Sequence, residues 1–219
     1  LKQKKLTLEK EIILWDWNGT LLNDAEICLQ GMNILLKNRN IPLLDMRRYL
    51  DIFTFPVREY YKAAGFDFSL EPFEIPAEEY IVHYKRLLPL AGLFEDVRET
   101  LGAFREKGYR QFIISAMEHD ALLKSVSDLG VDGFFEEICG LEDNLAFSKV
   151  HLGHRLFKHL GLEASKAIMV GDTLHDAEVA AELGVDIVFI SRGHQSHQRL
   201  STNGNLVFAD LASFRKNFL

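Results

Sequence analysis

The sequence predicts an α/β protein, a doubly wound parallel sheet with an inserted α-helical cap. Three observations lead there. Short continuous apolar runs recur along the 219 residues, the pattern of strands buried on both faces. Helical patterns of period 3.6 alternate with those runs, which implies right-handed βαβ units. Between the first two runs lies one long stretch with helical patterns and no convincing strand, so it reads as an insertion. The composition, 47% hydrophobic and 26% charged, supplies a real core and excludes a disordered polymer or a disulfide scaffold.

The first strand is Ile12–Trp15, and it runs into Asp16-Trp17-Asn18-Gly19-Thr20. The insertion follows: residues 22–88 are assigned to the cap, and residues 1–21 and 89–219 to the core. Asn23 is expected to cap the first helix, with Glu26 three residues on as in a capping box. Ile27, Ile34 and Leu35 form that helix's buried face, and Asn40-Ile41-Pro42 stops it. Further helices are expected near Leu44–Asp51, Val57–Ala64 and Ala77–Leu87. Pro72 and Pro76 punctuate the linker before the last of them.

The core resumes with a helix whose Val97, Leu101 and Phe104 repeat at i, i+4 and i+7. Glu95 and Asp96 open it and Arg105 and Lys107 close it, in keeping with the helix dipole. Strand Phe112–Ile114 leads to Ser115. Leu122, Val126 and Leu129 mark the next helix, and Glu137–Cys139 a weaker strand. Ser148-Lys149 opens a helix carrying Leu152, Leu156 and Leu160. Strand Ala167–Val170 runs into Gly171-Asp172-Thr173-Leu174-His175-Asp176. Ile187–Ile190 and Leu206–Phe208 complete the set.

Ligands of open α/β sheets sit at the carboxyl ends of the strands, where the strand order reverses. Asp16, Asp172 and Asp176 therefore converge on one edge. Two close carboxylates repel by roughly 4 kcal/mol at an effective dielectric of 20, so a counter-charge is required. Oxygen ligands with positions left open for water suit Mg²⁺. Lys149 and the hydroxyls of Ser115 and Thr20 add donors for an anion, and backbone N–H groups around Asn18-Gly19-Thr20 add more.

The net charge of −7, with no local basic face, argues against nucleic acid. No apolar run reaches the ~18 residues of a membrane span. Leu1–Lys10 is basic and lacks the apolar run of a secretory leader. Cys28 and Cys139 lie far apart with no metal-ligand spacing, so reduced thiols and a cytoplasmic location are expected. Expected partners are a small phosphorylated metabolite and no macromolecule beyond a second copy in a weak homodimer; a monomer is equally expected. Leu22–Leu90 holds 8 of the 25 basic and 10 of the 32 acidic residues. Most of the net charge thus lies in the core, where three acids would face a metal ion and Lys149 would meet the anion.

Taken together, these motifs resemble the haloacid dehalogenase superfamily of aspartate-nucleophile hydrolases, in its phosphoglycolate phosphatase-like branch. Asp16 to Thr20 looks like the family's first motif and Ile113-Ile114-Ser115 like its second. Lys149 looks like the third, and Gly171 to Asp176 like the fourth. The resemblance covers essentially the whole chain, and Leu22–Leu88 sits where that family places a helical cap. It implies a Rossmann-like core and Mg²⁺-dependent hydrolysis of a small phosphate monoester. Asp16 would be the nucleophile and would form an aspartyl-phosphate. The Asp16 carboxylate, the Asn18 backbone carbonyl and Asp172 would hold the metal, with Asp176 auxiliary. Ser115 and Lys149 would bind the transferring phosphoryl oxygens.

Position 18 departs from that family. Its phosphatases carry Asp there, as general acid for the leaving alcohol and general base for the attacking water. An amide exchanges no proton near neutral pH, and losing general acid–base catalysis costs about 10²–10⁴-fold. Three readings stay open. The enzyme acts on a good leaving group or uses another acid, such as His175, His83 or Tyr84. It has moved to another reaction of the superfamily. Or it is a catalytically weakened phosphate-ligand binding or regulatory protein.

The cap should set substrate choice. Arg58, in Thr54-Phe55-Pro56-Val57-Arg58, is either a partner for a second anionic group on the substrate or a solvated helix-start residue. Trp17 either lines the pocket or packs. His151/His154 and His194/His197 are i,i+3 pairs without a companion Cys or Glu at ligand spacing, and they read as solvated surface histidines.

Overall fold

Strands and helices alternate along the chain, as the apolar runs require. The computed structural model describes residues 10–142 and 149–219. β1 (Ile12–Trp15) and the short β2 (Leu22–Asn23) precede four helices, α1 (Ala25–Asn38), α2 (Met46–Ile52), α3 (Val57–Ala64) and α4 (Glu74–Leu87). β3 (Gly92–Leu93) and α5 (Val97–Glu106) lead to β4 (Arg110–Glu118), α6 (His119–Asp128) and β5 (Glu137–Leu141). Then come α7 (Val150–Leu160), β6 (Ala167–Gly171), α8 (Leu174–Leu183) and β7 (Asp186–Ile190). α9 (His197–Leu200), β8 (Leu206–Phe208) and α10 (Leu211–Phe218) close the chain.

Six strands form one sheet in the order β5-β4-β1-β6-β7-β8, with every pair parallel. β1 is bonded to both β4 and β6, so the strand order reverses beside it. That reversal opens a crevice at the carboxyl ends of β1 and β6. Side-chain alternation splits the core in two. Ile13, Trp15, Ile113, Ile168 and Val170 pack under α5, α6 and α10, while Ile12, Leu14, Phe112, Ile114 and Met169 pack under α7 and α8. Trp15 anchors the first face, its ring meeting Phe104 and Phe214 edge-on at 5.9 and 6.2 Å. Its Nε1–H is satisfied by Gln111 at 3.1 Å, which removes the cost of burying an indole donor.

The helices α1–α4 hold a third apolar cluster of their own, built on Met32, Leu35, Leu36, Tyr49, Tyr60 and Tyr61. The antiparallel pair β2–β3, with Leu22 opposite Leu93 and Asn23 opposite Gly92, ties the start of this insertion to its end. No described helix is long and apolar enough to cross a membrane. Cys28 and Cys139 are both buried free thiols.

Four local expectations need correction. The insertion does contain a strand, Leu22–Asn23, too short to leave an apolar run. The N-cap of α1 is Asp24 rather than Asn23, and no side chain caps it; the Asp24 carboxylate accepts instead from Asn18 and Gly19. Pro76 lies in the first turn of α4 rather than in the linker, where a missing N–H costs no helix bond. Ser115 lies inside β4, which runs on to Glu118 through a register shift. Ser148 falls outside the described residues, and Lys149 is the N-cap of α7.

Candidate active site

The crevice beside β1 collects the predicted acids. Asp16 follows β1, Asp172 follows β6, and Asp176 occupies the first turn of α8. All three are buried and offer carboxylate oxygens within 4.8 Å of one another. The turn after β6 is shaped for this. Asp176 Oδ2 accepts from the Asp172 N–H at 3.2 Å, the Thr173 N–H at 2.9 Å and the Thr173 hydroxyl at 2.8 Å, part of a capping box that leaves its other oxygen to Lys149. Gly19 has φ of +72°, and a Cβ there would stand 2.3 Å from Asp172 Oδ2, so the approach of the two loops requires glycine.

Lys149, 2% exposed, donates from Nζ to Asp16 and, at 2.7 Å, to Asp176. Burial alone would lower its pKa, but the two carboxylates more than offset that and raise it. Burial pushes Asp16 well above the ordinary carboxylate range; Lys149 opposes this, and Asp176 and Asp172 add to it. Asp172 is pushed up to about 6, chiefly by burial, with His194 opposing. Asp176 is buried too, yet Lys149 and Thr173 hold it below its usual value. One ammonium thus contacts two of three clustered, buried carboxylates. Such a crowded set of hard oxygen donors fits a hard divalent cation.

A second buried cluster adjoins the first. The Asn18 amide donates to Asp24 Oδ2 at 2.7 Å and to the Tyr84 hydroxyl at 2.7 Å. Tyr84 donates to Asp24 at 3.0 Å. His194 Nε2 lies 3.3 Å from Asp24 Oδ1, and its Nδ1 lies 2.7 Å from the Tyr49 hydroxyl. Burial would lower the His194 pKa, but Asp24 brings it up to about 9. Burial would raise Asp24, and His194, Asn18 and Tyr84 together hold it down.

A cavity of about 190 Å³ lies between the sheet edge and the insertion, lined by both. Asp16, Asn18, Ser115, Lys149, Asp172 and Asp176 all reach it, so six of the predicted residues come together. Ser115 directs its hydroxyl at Asn18 Oδ1, 3.4 Å away. Three others do not join them. Thr20 is fully buried and gives its hydroxyl to Asp172 at 3.1 Å, so it braces an acid rather than meeting a ligand. Trp17 packs in the core, its Nε1 donating to Ser125 at 3.2 Å. Arg58 is exposed and lies over the Phe68 ring at 5.3 Å, away from the cavity lining.

The histidines divide. His151, His154 and His197 are exposed as expected, but His194 is 4% exposed and sits in the second cluster. It follows β7, so the strand-end rule that found Asp172 could have found it. Of the substitute acids, Tyr84 and His175 line the cavity and His83 does not. Asp24 carried no signal of its own, because an acid at a helix start is common.

The family of haloacid dehalogenase-like hydrolases matches residues 13–190. Over 206 residues the chain is 26% identical to a phosphoglycolate phosphatase from Colwellia psychrerythraea, covering 90% of this chain and 91% of that protein. Over 212 residues it is 26% identical to a 5'-nucleotidase from Pseudomonas aeruginosa, covering 93% of each. Its fold resembles that of a haloacid dehalogenase-like family hydrolase from Streptococcus pneumoniae, with a TM-score of 0.83 at 20% identity over 97% of this chain and 100% of that one. The matched span contains every acid of the first cluster, and the chain belongs to the haloacid dehalogenase-like hydrolases.

Proposed function

We propose that this protein is a Mg²⁺-dependent phosphatase that hydrolyses a small phosphate monoester through an aspartyl-phosphate on Asp16. The observation that carries this reading is the convergence of Asp16, Asp172, Asp176, Lys149 and Ser115 on one cavity. The relatives named phosphoglycolate phosphatase and 5'-nucleotidase support the substrate class. Asp16, Asp172 and the Asn18 backbone carbonyl would hold Mg²⁺, with Asp176 auxiliary. When bound, the ion withdraws charge from the phosphoryl group and offsets the carboxylates.

The chain's own groups do the rest. Lys149 favours the ionised form of Asp16 against its burial and faces the phosphoryl oxygens as they approach. Ser115 supplies a neutral donor beside it. Thr20 and the His194 N–H hold the Asp172 carboxylate in place. Protonated His194 leaves Asp24 ionised and adds positive charge next to the site. The helices α1–α4 act as the cap and exclude water while the phosphoryl group moves.

Phosphate release from a panel of phosphorylated metabolites, with Mg²⁺ and with EDTA, tests the reading. Turnover should require Mg²⁺ and should vanish in Asp16→Ala, and BeF₃⁻ should trap on Asp16. Hydrolysis that persists in Asp16→Ala sinks the covalent mechanism. One observation favours a second reading, a phosphate-ligand binding or regulatory protein: the Asn18 amide is committed to Asp24 and Tyr84 and has no proton to exchange. That reading predicts Mg²⁺-dependent binding without phosphate release.

A further inference from the structure

The insertion lines the cavity with rings. Phe55, Tyr60, Tyr61, Phe73, Tyr80 and Tyr84 contribute to it. These rings brace one another: Tyr61 meets Phe73 edge-on at 5.4 Å, and Tyr80 stacks on Tyr84 at 6.0 Å. The buried cations among the described lining residues are all engaged. Lys149 serves Asp16 and Asp176, and His194 pairs with Asp24. Lys85 lines the cavity as an exposed residue, and Arg58 lies outside over Phe68. A substrate body bearing a carboxylate or a second phosphate would therefore enter without a buried cation to receive it.

Two polar atoms in the same lining lack partners. The Tyr60 hydroxyl and His175 Nε2 are buried with no hydrogen bond, and both residues face the cavity. Buried polar groups are nearly always paired, so each points to a polar group on a ligand. At about 190 Å³, the space exceeds the roughly 150 Å³ of an apolar cavity known to hold benzene. The same space reaches down to Asp16 and Lys149 and must also take the phosphate, so it suits a body of one small ring and nothing larger.

The floor restricts the leaving group independently. The departing oxygen meets an amide at position 18 rather than an acid, and that amide is spent on Asp24 and Tyr84. An oxygen that leaves unprotonated must carry its charge well. A phenol, with a pKa of about 10 as in tyrosine, does so far better than an alcohol near water's roughly 15.7.

We infer that the substrate is an aryl phosphate whose ring carries a polar substituent, seated against the aromatic wall with its phosphate on Asp16. This rests on the phosphatase reading above. Asp16 Oδ1 bonds to phosphorus as the P–O(aryl) bond breaks, and its electron pair leaves on the phenolate. Water then attacks phosphorus and the P–O(Asp16) bond breaks. One water proton ends on the phenolate and the other stays with the phosphate, giving a phenol, hydrogen phosphate and the free Asp16 carboxylate.

The test compares phenyl, 4-hydroxyphenyl, benzyl and ethyl phosphates, phosphoglycolate and adenosine 5'-monophosphate by kcat/KM in Mg²⁺. Benzyl phosphate keeps the ring but leaves as an alkoxide. Calorimetry with the inert phenylphosphonate and phosphonoacetate measures the wall without turnover. The inference expects phenyl phosphate to exceed benzyl by about 100-fold and benzyl to exceed ethyl. It expects 4-hydroxyphenyl phosphate to gain over phenyl, and that gain to disappear in Tyr60→Phe. Phenylphosphonate should bind at least about 10-fold tighter than phosphonoacetate. Hydrolysis in which phosphoglycolate, adenosine monophosphate or benzyl phosphate equals phenyl phosphate overturns the inference and leaves the phosphatase standing. Tight phenylphosphonate binding with no turnover of any ester overturns the phosphatase and keeps the aromatic site.

Discussion

The two walls of the cavity are built from opposite chemistry. The sheet edge offers three carboxylates, an ammonium and a hydroxyl, each held by hydrogen bonds to neighbouring loops. The insertion offers rings that pack on one another in a cluster separate from both sheet cores. The charged groups therefore sit at strand ends and at the helix starts beside them, where position is set by a hydrogen-bonded sheet. The rings sit on helices tethered by the two-residue pair β2–β3. The walls meet at one polar seam, where Asp24, Tyr49 and Tyr84 of the insertion engage Asn18 and His194 of the core. Gln195 and Arg199 also donate to the Phe53 carbonyl, at 3.0 and 2.6 Å. Closure over the site is thus written in hydrogen bonds, while the space above it is apolar.

That division can be broken from the floor upward. The largest effect is expected from Asp16→Asn, which keeps the size of the side chain and removes the proposed nucleophile. Turnover should fall by at least about 10³-fold, with an unchanged circular dichroism spectrum. Gly19→Ala comes next: its Cβ would meet Asp172 and also His194 at 2.6 Å, on a backbone with positive φ. It should cost about 2 kcal/mol in denaturant unfolding and about 100-fold in activity, because the acid it displaces belongs to the site.

Asn18→Asp probes the seam. Alone it would set a carboxylate against Asp24, where the present contact is 2.7 Å. The exchange Asn18→Asp with Asp24→Asn moves the acid to position 18 and keeps one charge. Ethyl phosphate turnover should rise by about 10-fold in the double variant, and a flat or lower rate would assign Asn18 another role. The smallest effect is expected of Arg58→Ala. An exposed guanidinium stacked on Phe68 should change kcat/KM by less than about 2-fold on every substrate. A selective rise in KM for carboxylate-bearing esters would restore Arg58 to the site.

Much of this architecture is legible in local patterns. Ile12–Trp15, Ala167–Val170 and Ile187–Ile190 announce buried strands because both of their faces must be apolar. A strand end beside the reversal point then marks Asp16 and Asp172 without any contact being known. Asp24 and His194 were missed for the complementary reason. Nothing local separates a helix-start acid or a loop histidine that turns inward from one that stays in water. The directions of Thr20, Trp17 and Arg58 are not legible for the same reason, since proximity in sequence to a motif does not say which way a side chain points.

The sequence by itself determined the sheet, the helical insertion and the acid set, because periodicity and strand-end position act over a few residues. Tertiary structure alone decided that the Asn18 amide is claimed by Asp24 and Tyr84, that His194 is buried, and that rings of the insertion line the cavity above the acids. Those facts depend on residues such as Asn18 and Tyr84, or Asp24 and His194, which lie far apart along the chain. They meet only when burial forces each polar group to find a partner.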